Sequence, residues 1–249
     1  MPRLTTAAAR AAAGYLAEAV TSGCTLAPFP EDMRPRTPAE ARRVAALLRE
    51  SLGFPVVGLR LVPPPNGLSG PPVAGPVFAA RLLHGPVALP PLHRPVATAA
   101  VVAQLARPLP ARERAWTLRE VAARIASLHA AIDIGASRYS AGPSDLPAFM
   151  ADLAGLGVVV LARPAREGWR EAVASPVSAR AVAADGSFAW LGTIDAGAAL
   201  RAAAEAARGV GPLPAGAILI AAGLSPPLPD GALTLSISGL GKAAILAGA

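Results

Sequence analysis

Few side chains in this 249-residue chain have the type and spacing for chemistry, so each can be weighed singly. His84 and His93 stand nine residues apart with no carboxylate close by, which is not a zinc-ligand spacing. His84 has the ordinary imidazole pKa that suits a proton shuttle, and the plainer reading is a histidine facing solvent. His129 is expected near the end of a helix, where its ring favours the negative end of the helix dipole. Ser225 follows Gly223-Leu224 and precedes Pro226. It lacks the Gly-x-Ser-x-Gly elbow of a hydrolase nucleophile and reads as a loop serine. Cys24 is the single cysteine, so it forms no internal bridge, and without a partner motif it reads as an incidental thiol. No Asp or Glu occurs between Glu50 and Glu113, so oxygen ligands for a hard cation must come from elsewhere in the chain. No phosphate-binding glycine loop follows a strand.

Composition narrows the classes further. With 53% hydrophobic and 16% charged residues, the chain can bury a substantial core and is not disordered. The mean hydropathy of +0.46 is mostly alanine. Prolines or charges interrupt each apolar run before the roughly 18 residues of a spanning helix, so no membrane partner is expected. The net charge of +7 is spread along the chain as arginines, with Lys242 the sole lysine and no aromatic-interleaved basic stripe, so no nucleic-acid partner is expected either. The alanine-rich start is broken by Arg10 and Glu18, which fits an amphipathic helix carrying Ala9, Ala12, Leu16 and Val20 rather than a leader. A cytoplasmic location is expected.

The elements that must position any site are marked by caps and turns. Thr37-Pro38-Ala39-Glu40 and Thr117-Leu118-Arg119-Glu120 are capping boxes, the second opening a helix expected to carry Val121, Ile125 and Leu128. Further helices are expected from Ser144 or Asp145, and from about Asp195 to Arg208 with Gly209 as the stop. Strands are expected over Pro55–Leu61, Val96–Leu105, Ala131–Ile134 and Gly157–Leu161. Asp185-Gly186 reads as a tight hairpin turn, and three strands follow over Ala217–Ala222, Ala232–Ile237 and Lys242–Leu246. Pro63–Gly67 and Pro226–Pro229 read as loops. Helices mostly early and strands mostly late predict an α+β protein.

Several segments then occur in a familiar order: Val56-Val57-Gly58-Leu59-Arg60, Gly75-Pro76-Val77-Phe78 with Arg81-Leu82-Leu83, Ala131-Ile132-Asp133-Ile134 with Ser137-Arg138-Tyr139, Ala151-Asp152, Asp230-Gly231 and Gly239-Leu240-Gly241. Together they resemble the 2-keto-4-pentenoate hydratase/4-oxalocrotonate decarboxylase branch of the fumarylacetoacetate hydrolase superfamily. The resemblance implies a small N-terminal helical lobe over residues 1–54 and a C-terminal mixed β-roll over residues 55–249. It also implies Mg²⁺ or Mn²⁺ held by a Glu-x-Glu pair and a third acid, where the ion chelates a short 2-oxo acid and stabilises an enolate.

The chain departs from that pattern at the chemistry. Thr98 and Ala100 occupy the positions of the two glutamates, and a one-residue slip offers Ala97 and Ala99. The third acid is the shorter Asp133, the family lysine is Arg60, and Leu153 stands where asparagine is expected. No resident cofactor is therefore expected, and weak Mg²⁺ or Mn²⁺ binding stays open. Within the resemblance, Asp133 is the candidate general acid/base, and Arg60 and Arg138 are the candidate anchors for a substrate carboxylate. The competing reading is a buried ion pair, Asp133–Arg60 or Asp133–Arg138. Tyr139 is a candidate oxyanion donor or a packing residue, and His84 falls where a pocket-lining loop would begin.

Three functions stay open. The first is a metal-independent lyase- or isomerase-type enzyme for a small 2-oxo or enol acid. The second is a non-catalytic homologue that binds a ligand, either as a homo-oligomer or in a complex with an active relative. The third is a Mg²⁺-dependent hydratase.

Overall fold

Two capped helices lead the chain. In the computed structural model, which describes residues 3–65, 67–165 and 168–247, α1 (Thr6–Ser22) starts at Thr5, whose hydroxyl accepts from Ala8 N, and stops at left-handed Gly23. Helix α2 (Pro38–Leu52) starts at Thr37 with Pro38 in its first turn and stops at left-handed Gly53. The remaining helices are α3 (Leu118–Ala122), α4 (Leu146–Ala151), α5 (Trp169–Ala174) and α6 (Ala196–Val210).

The first seven strands are β1 (Val56–Val62), β2 (Val73–Phe78), β3 (Leu82–His84), β4 (Val87–Ala88), β5 (Val96–Leu105), β6 (Ile125–Gly135) and β7 (Leu156–Leu161). The rest are β8 (Val177–Ala183), β9 (Phe188–Ile194), β10 (Ile218–Ala221), β11 (Leu233–Ile237) and β12 (Gly241–Leu246). They form a seven-stranded sheet, β2-β1-β10-β5-β6-β7-β3, and a five-stranded sheet, β4-β12-β11-β8-β9. Both sheets are mixed: β1 runs parallel to β10, β3 to β7, and β12 to β4, while the other pairs are antiparallel. The chain is α+β, as its element order predicts.

The larger sheet is covered on both faces, which explains why β5, β6 and β7 are almost wholly apolar. Along β5, Ala99, Val101 and Ala103 enter a core shared with the second sheet and α6, where Leu235, Ala243 and Leu200 lie. Ala100 and Val102 enter the opposite core, under α1, α2 and α4, with Leu16, Val44 and Phe149. The period of two along each strand assigns neighbours to opposite cores. The β1–β10 pairing depends on a glycine: a Cβ on Gly58 would sit 1.9 Å from the Ile218 carbonyl oxygen.

Several expected elements are placed differently. The helix after Thr117 ends at Ala122, and β6 begins at Ile125, where its backbone pairs with β5 in place of continuing the helix. Ile125 and Leu128 are therefore strand residues, and tertiary pairing overrides a helical spacing. His129 lies inside β6, not at a helix end: its Nδ1 is 2.9 Å from the Ala162 carbonyl and its Nε2 is 3.2 Å from the Ser127 hydroxyl. Helix α6 runs through Gly209 to Val210 and stops at Gly211. Strand β10 joins the larger sheet, apart from β11 and β12. Strands β2, β3 and β4 and helix α5 lack the cap and turn signals that mark the other elements; Gly75-Pro76 interrupts the pattern of β2, and β4 has two residues. Residues 63–65 and 67 of the expected proline loop lie outside helices and strands, and Asn66 lies outside the described residues. Among the described residues, no helix is long and apolar enough to cross a membrane.

The second capping box carries a pH prediction. The Glu120 carboxylate accepts from Thr117 N at 3.0 Å and from Arg112 at 3.2 Å. The Thr117 backbone bond, then Arg112, lower its pKa to about 2. A depressed carboxyl contributes stability above its unfolded value of about 4.3 and loses that contribution as pH falls towards 2. Replacing Glu120 by Gln is expected to flatten the acid limb of a melting-temperature profile between roughly pH 4.3 and 2.

Candidate functional site

The sheet is curled, and its concave face carries the site. Arg60, Thr98 and Asp133 lie on the face opposite Leu59, Ala97, Ala99, Ile132 and Ile134, which belong to the core between the sheets. Thr98 and Asp133 are register partners on β5 and β6. Arg60 on β1 is three strands from β6, roughly 14 Å across a flat sheet at about 4.8 Å per strand. Its guanidinium nevertheless meets Asp133 directly, with Nε 2.6 Å from Oδ1 and Nη2 2.6 Å from Oδ2. Curling of the sheet closes that gap. Both residues are 1% exposed.

Arg60 Nη1 also donates to the Ala154 carbonyl at 2.7 Å. This carbonyl belongs to a strained turn in which Leu153 (φ 52°) and Ala154 (φ 55°) both adopt left-handed backbone. Non-glycine residues in that region cost roughly 1 kcal/mol or more each and persist where surrounding structure holds them. Arg60 is one such hold. Three of the five guanidinium N–H groups are thus engaged, and Arg60 borders a cavity.

That cavity has a volume of about 580 Å³ and is bordered by Arg60, Thr98, Asp133, Ser137, Asp152 and Ser225, with Arg94 at its rim. Its hydroxyls are tied to backbone. Thr98 Oγ1 accepts from Gly223 N at 3.2 Å, and Ser225 Oγ accepts from Ala99 N at 2.9 Å and donates to the Pro226 carbonyl at 2.8 Å.

The structure brings together Arg60, Asp133 and Thr98 from the sequence-derived candidates. Of the two ion pairs considered, it contains Asp133–Arg60. Arg138 pairs with Asp152 instead: its Nε and its backbone N both donate to the Asp152 carboxylate. Its Nη1 and Nη2 donate to the Leu156 and Asp152 carbonyls at 2.7 and 2.6 Å. Arg138 therefore braces the turn behind the cavity and does not border it. Burial raises the Asp152 carboxyl and Arg138 opposes that rise. Tyr139 does not border the cavity either. It is buried edge-on against Phe29, with ring centroids 5.7 Å apart, and burial raises its hydroxyl pKa. His84 is exposed on edge strand β3, away from the cavity. Ala100 is buried in the core beneath α1 and α2, so its methyl closes that position.

Sequence reasoning missed Ala154 as an acceptor and Phe149 as a wall of the cavity. Nothing in Leu153-Ala154-Gly155 announces a left-handed pair, since neither leucine nor alanine favours it.

The donor set does not fit a divalent cation. Among the described residues, no three His, Cys, Asp or Glu side chains are grouped to hold a metal ion. Both oxygens of Asp133 face a guanidinium, and the neighbouring hydroxyl and methyl are neutral. Hard cations take carboxylate and carbonyl oxygens in larger number.

No family model matches the chain, and no curated protein sequence matches it. Solved structures do. 4-Oxalocrotonate decarboxylase from Pseudomonas putida G7, complexed with calcium and acetate, superposes with a TM-score of 0.77 at 21% identity, over 98% of this chain and 99% of that chain. The chain has the 4-oxalocrotonate decarboxylase fold. The magnesium and adipate complex of the same enzyme gives a TM-score of 0.76 at 21% identity, over the same shares of both chains. Fumarylpyruvate hydrolase from Pseudomonas aeruginosa, in complex with Mn²⁺ and pyruvate, shares the fold more distantly: TM-score 0.50, 14% identity, 78% of this chain and 90% of that chain. This is the fold that the ordered motifs imply. A shared fold at these identities leaves the chemistry to the site.

Proposed function

We propose that the protein is a lyase-type enzyme for a small 2-oxo or enol acid, working without a resident metal ion and using Arg60 as its electrophile. The observation that carries this reading is the buried Arg60 guanidinium at the cavity floor, oriented by Asp133 and the Ala154 carbonyl, with two N–H donors left over. Loss of CO₂ from a carboxylate that is β, or vinylogously β, to a ketone needs an electron sink and no base. The C–C bond breaks, its electron pair forms the enolate, CO₂ departs, and solvent protonates carbon. Donors aimed at the developing enolate oxygen in a dry site stabilise the transition state. Hydration asks for more, because a base must activate water. Both carboxylates in the cavity, Asp133 and Asp152, are already bonded to arginines. Asp133 is accordingly assigned to orienting Arg60 and not to acid/base work.

The same engagement of Asp133 favours a second reading, a pocket that binds such an acid without turning it over. CO₂ release from 4-oxalocrotonate and alkyl-substituted 2-oxo-3-enoates with a vinylogous carboxylate, measured with EDTA present, separates the two. Turnover that survives EDTA and falls about 10²–10³-fold in Arg60→Lys supports the electrophile role. Binding without turnover supports the second reading, and turnover that requires added Mg²⁺ or Mn²⁺ overturns both.

A further inference from the structure

A second group of side chains with the spacing for chemistry lies at the other end of β6. Ser127 and His129 stand two residues apart on that strand, so both side chains point to the same face of the sheet. His129 is about 13 Å along an extended chain from Asp133, and neither Ser127 nor His129 borders the cavity.

The imidazole has a fixed tautomer. Its Nδ1 lies 2.9 Å from the Ala162 carbonyl oxygen, which only accepts, so Nδ1 carries the proton. Nε2 is therefore the bare nitrogen, and the Ser127 hydroxyl, 3.2 Å away, donates to it. A hydroxyl held on a neutral imidazole, itself oriented by a third group, is the arrangement of an activated serine. Burial separates the two roles: His129 is 8% exposed, whereas Ser127 is only half-buried and reaches solvent.

Two further features surround the hydroxyl. Gln104 and Leu105 on β5 pair with Ser127 and Ile125, which leaves Ala126 as an extra, exposed residue in β6. Such a bulge bends its strand and re-aims the adjoining side chain. Gln104, directly opposite Ser127, brings its side-chain amide to 3.5 Å from the Ser127 hydroxyl. A primary amide beside a nucleophile can turn its NH₂ group to an oxyanion.

We propose that Ser127, His129 and Gln104 form a second reactive site, an acyl-transfer centre for activated esters of short carboxylic acids. It is independent of Arg60 and of the oxo-acid chemistry. Ser127 Oγ bonds to the acyl carbon as its proton passes to His129 Nε2. The bond to the leaving alkoxide breaks, and the alkoxide takes that proton. The Gln104 amide donates to the carbonyl oxygen while it is negative. Water then attacks the acyl-serine and gives a proton to Nε2, which returns it to Oγ as the acid leaves. An exposed strand end offers little surface to a long acyl chain, so a short acid is the class that fits.

The test treats the full chain with p-nitrophenyl acetate, follows nitrophenolate release and maps the acetylated residue by peptide mass spectrometry. A stoichiometric burst is expected, with the acetyl group on Ser127. Ser127→Ala is expected to abolish the burst, and His129→Gln to slow it about 10²–10⁴-fold. Gln104→Glu, at an exposed position, keeps the shape and removes the donors, and is expected to slow it about 10²-fold. Melting temperatures establish that each variant is folded; should His129→Gln unfold, Gln104→Glu decides. Acetyl on Lys242 or Ser225 in place of Ser127 overturns the proposal. So does acetylation of Ser127 no faster than in the urea-unfolded chain, or a wild-type rate in a folded His129→Gln or Gln104→Glu variant.

Discussion

Replacing Arg60 by methionine is expected to lower the unfolding free energy by about 3–5 kcal/mol, the range for stripping one partner from a buried ion pair. The loss comes from what stays behind. Asp133 is 1% exposed, and both its oxygens accept from Arg60 at 2.6 Å, so the variant buries a carboxylate with no cation beside it. The Ala154 carbonyl also loses its 2.7 Å donor, and with it one restraint on the left-handed turn. Combining Arg60→Met with Asp133→Leu is expected to recover most of the loss, because a well-packed apolar pair costs no charge desolvation. Urea unfolding midpoints of the wild type, both single variants and the double variant form a double-mutant cycle. A strong coupling energy is expected. Single variants within about 1 kcal/mol of wild type, as for an exposed pair, would show that water reaches the floor of the cavity.

Arg138→Met is expected to be similarly costly, about 3–5 kcal/mol, and to act on stability rather than on ligand affinity. Arg138 is 8% exposed and spans Asp152, Leu156 and its own turn, so its removal unties the segment that carries Ala154. A substrate-binding arginine would behave differently: its loss would raise KM and leave the melting temperature nearly unchanged. The pH dependence has a defined sign. Without Arg138, the Asp152 carboxyl, which burial already raises, rises further above its unfolded value of about 3.9. Protonated Asp152 is then tolerated at low pH, and the ionised form is penalised as pH climbs through the raised folded value. The destabilisation by Arg138→Met should therefore grow with pH and shrink in acid. Melting temperatures of wild type and variant across acidic to neutral pH test this; a gap independent of pH would place the ionisation elsewhere.

Much of the architecture is legible from local signals. Thr37-Pro38-Ala39-Glu40 opens α2, the Asp185-Gly186 turn joins β8 to β9, and Val96–Leu105 is a strand to the residue. These features are encoded by neighbours in the chain: a cap satisfies its own helix, a tight turn needs its own residues, and a run of apolar β-formers needs only to be covered. The break between α3 and β6 is not local, because the residues from Ile125 onward follow their partner β5 and not their own spacing.

The site divides in the same way. The sequence by itself determined the electrostatic inventory: a hydroxyl and a methyl at Thr98 and Ala100, one aspartate at 133, and arginine in place of lysine at 60. It left open which arginine that aspartate would meet. Only the tertiary structure decided it, because the curl of the sheet carries β1 across to β6 and pairs Arg60 with Asp133, while the 153–155 turn delivers Asp152 to Arg138. Residue type sets which charges exist; the long-range closure of a curved sheet sets which of them neutralise each other, and that pairing separates an arginine that borders the cavity from one that braces the turn behind it.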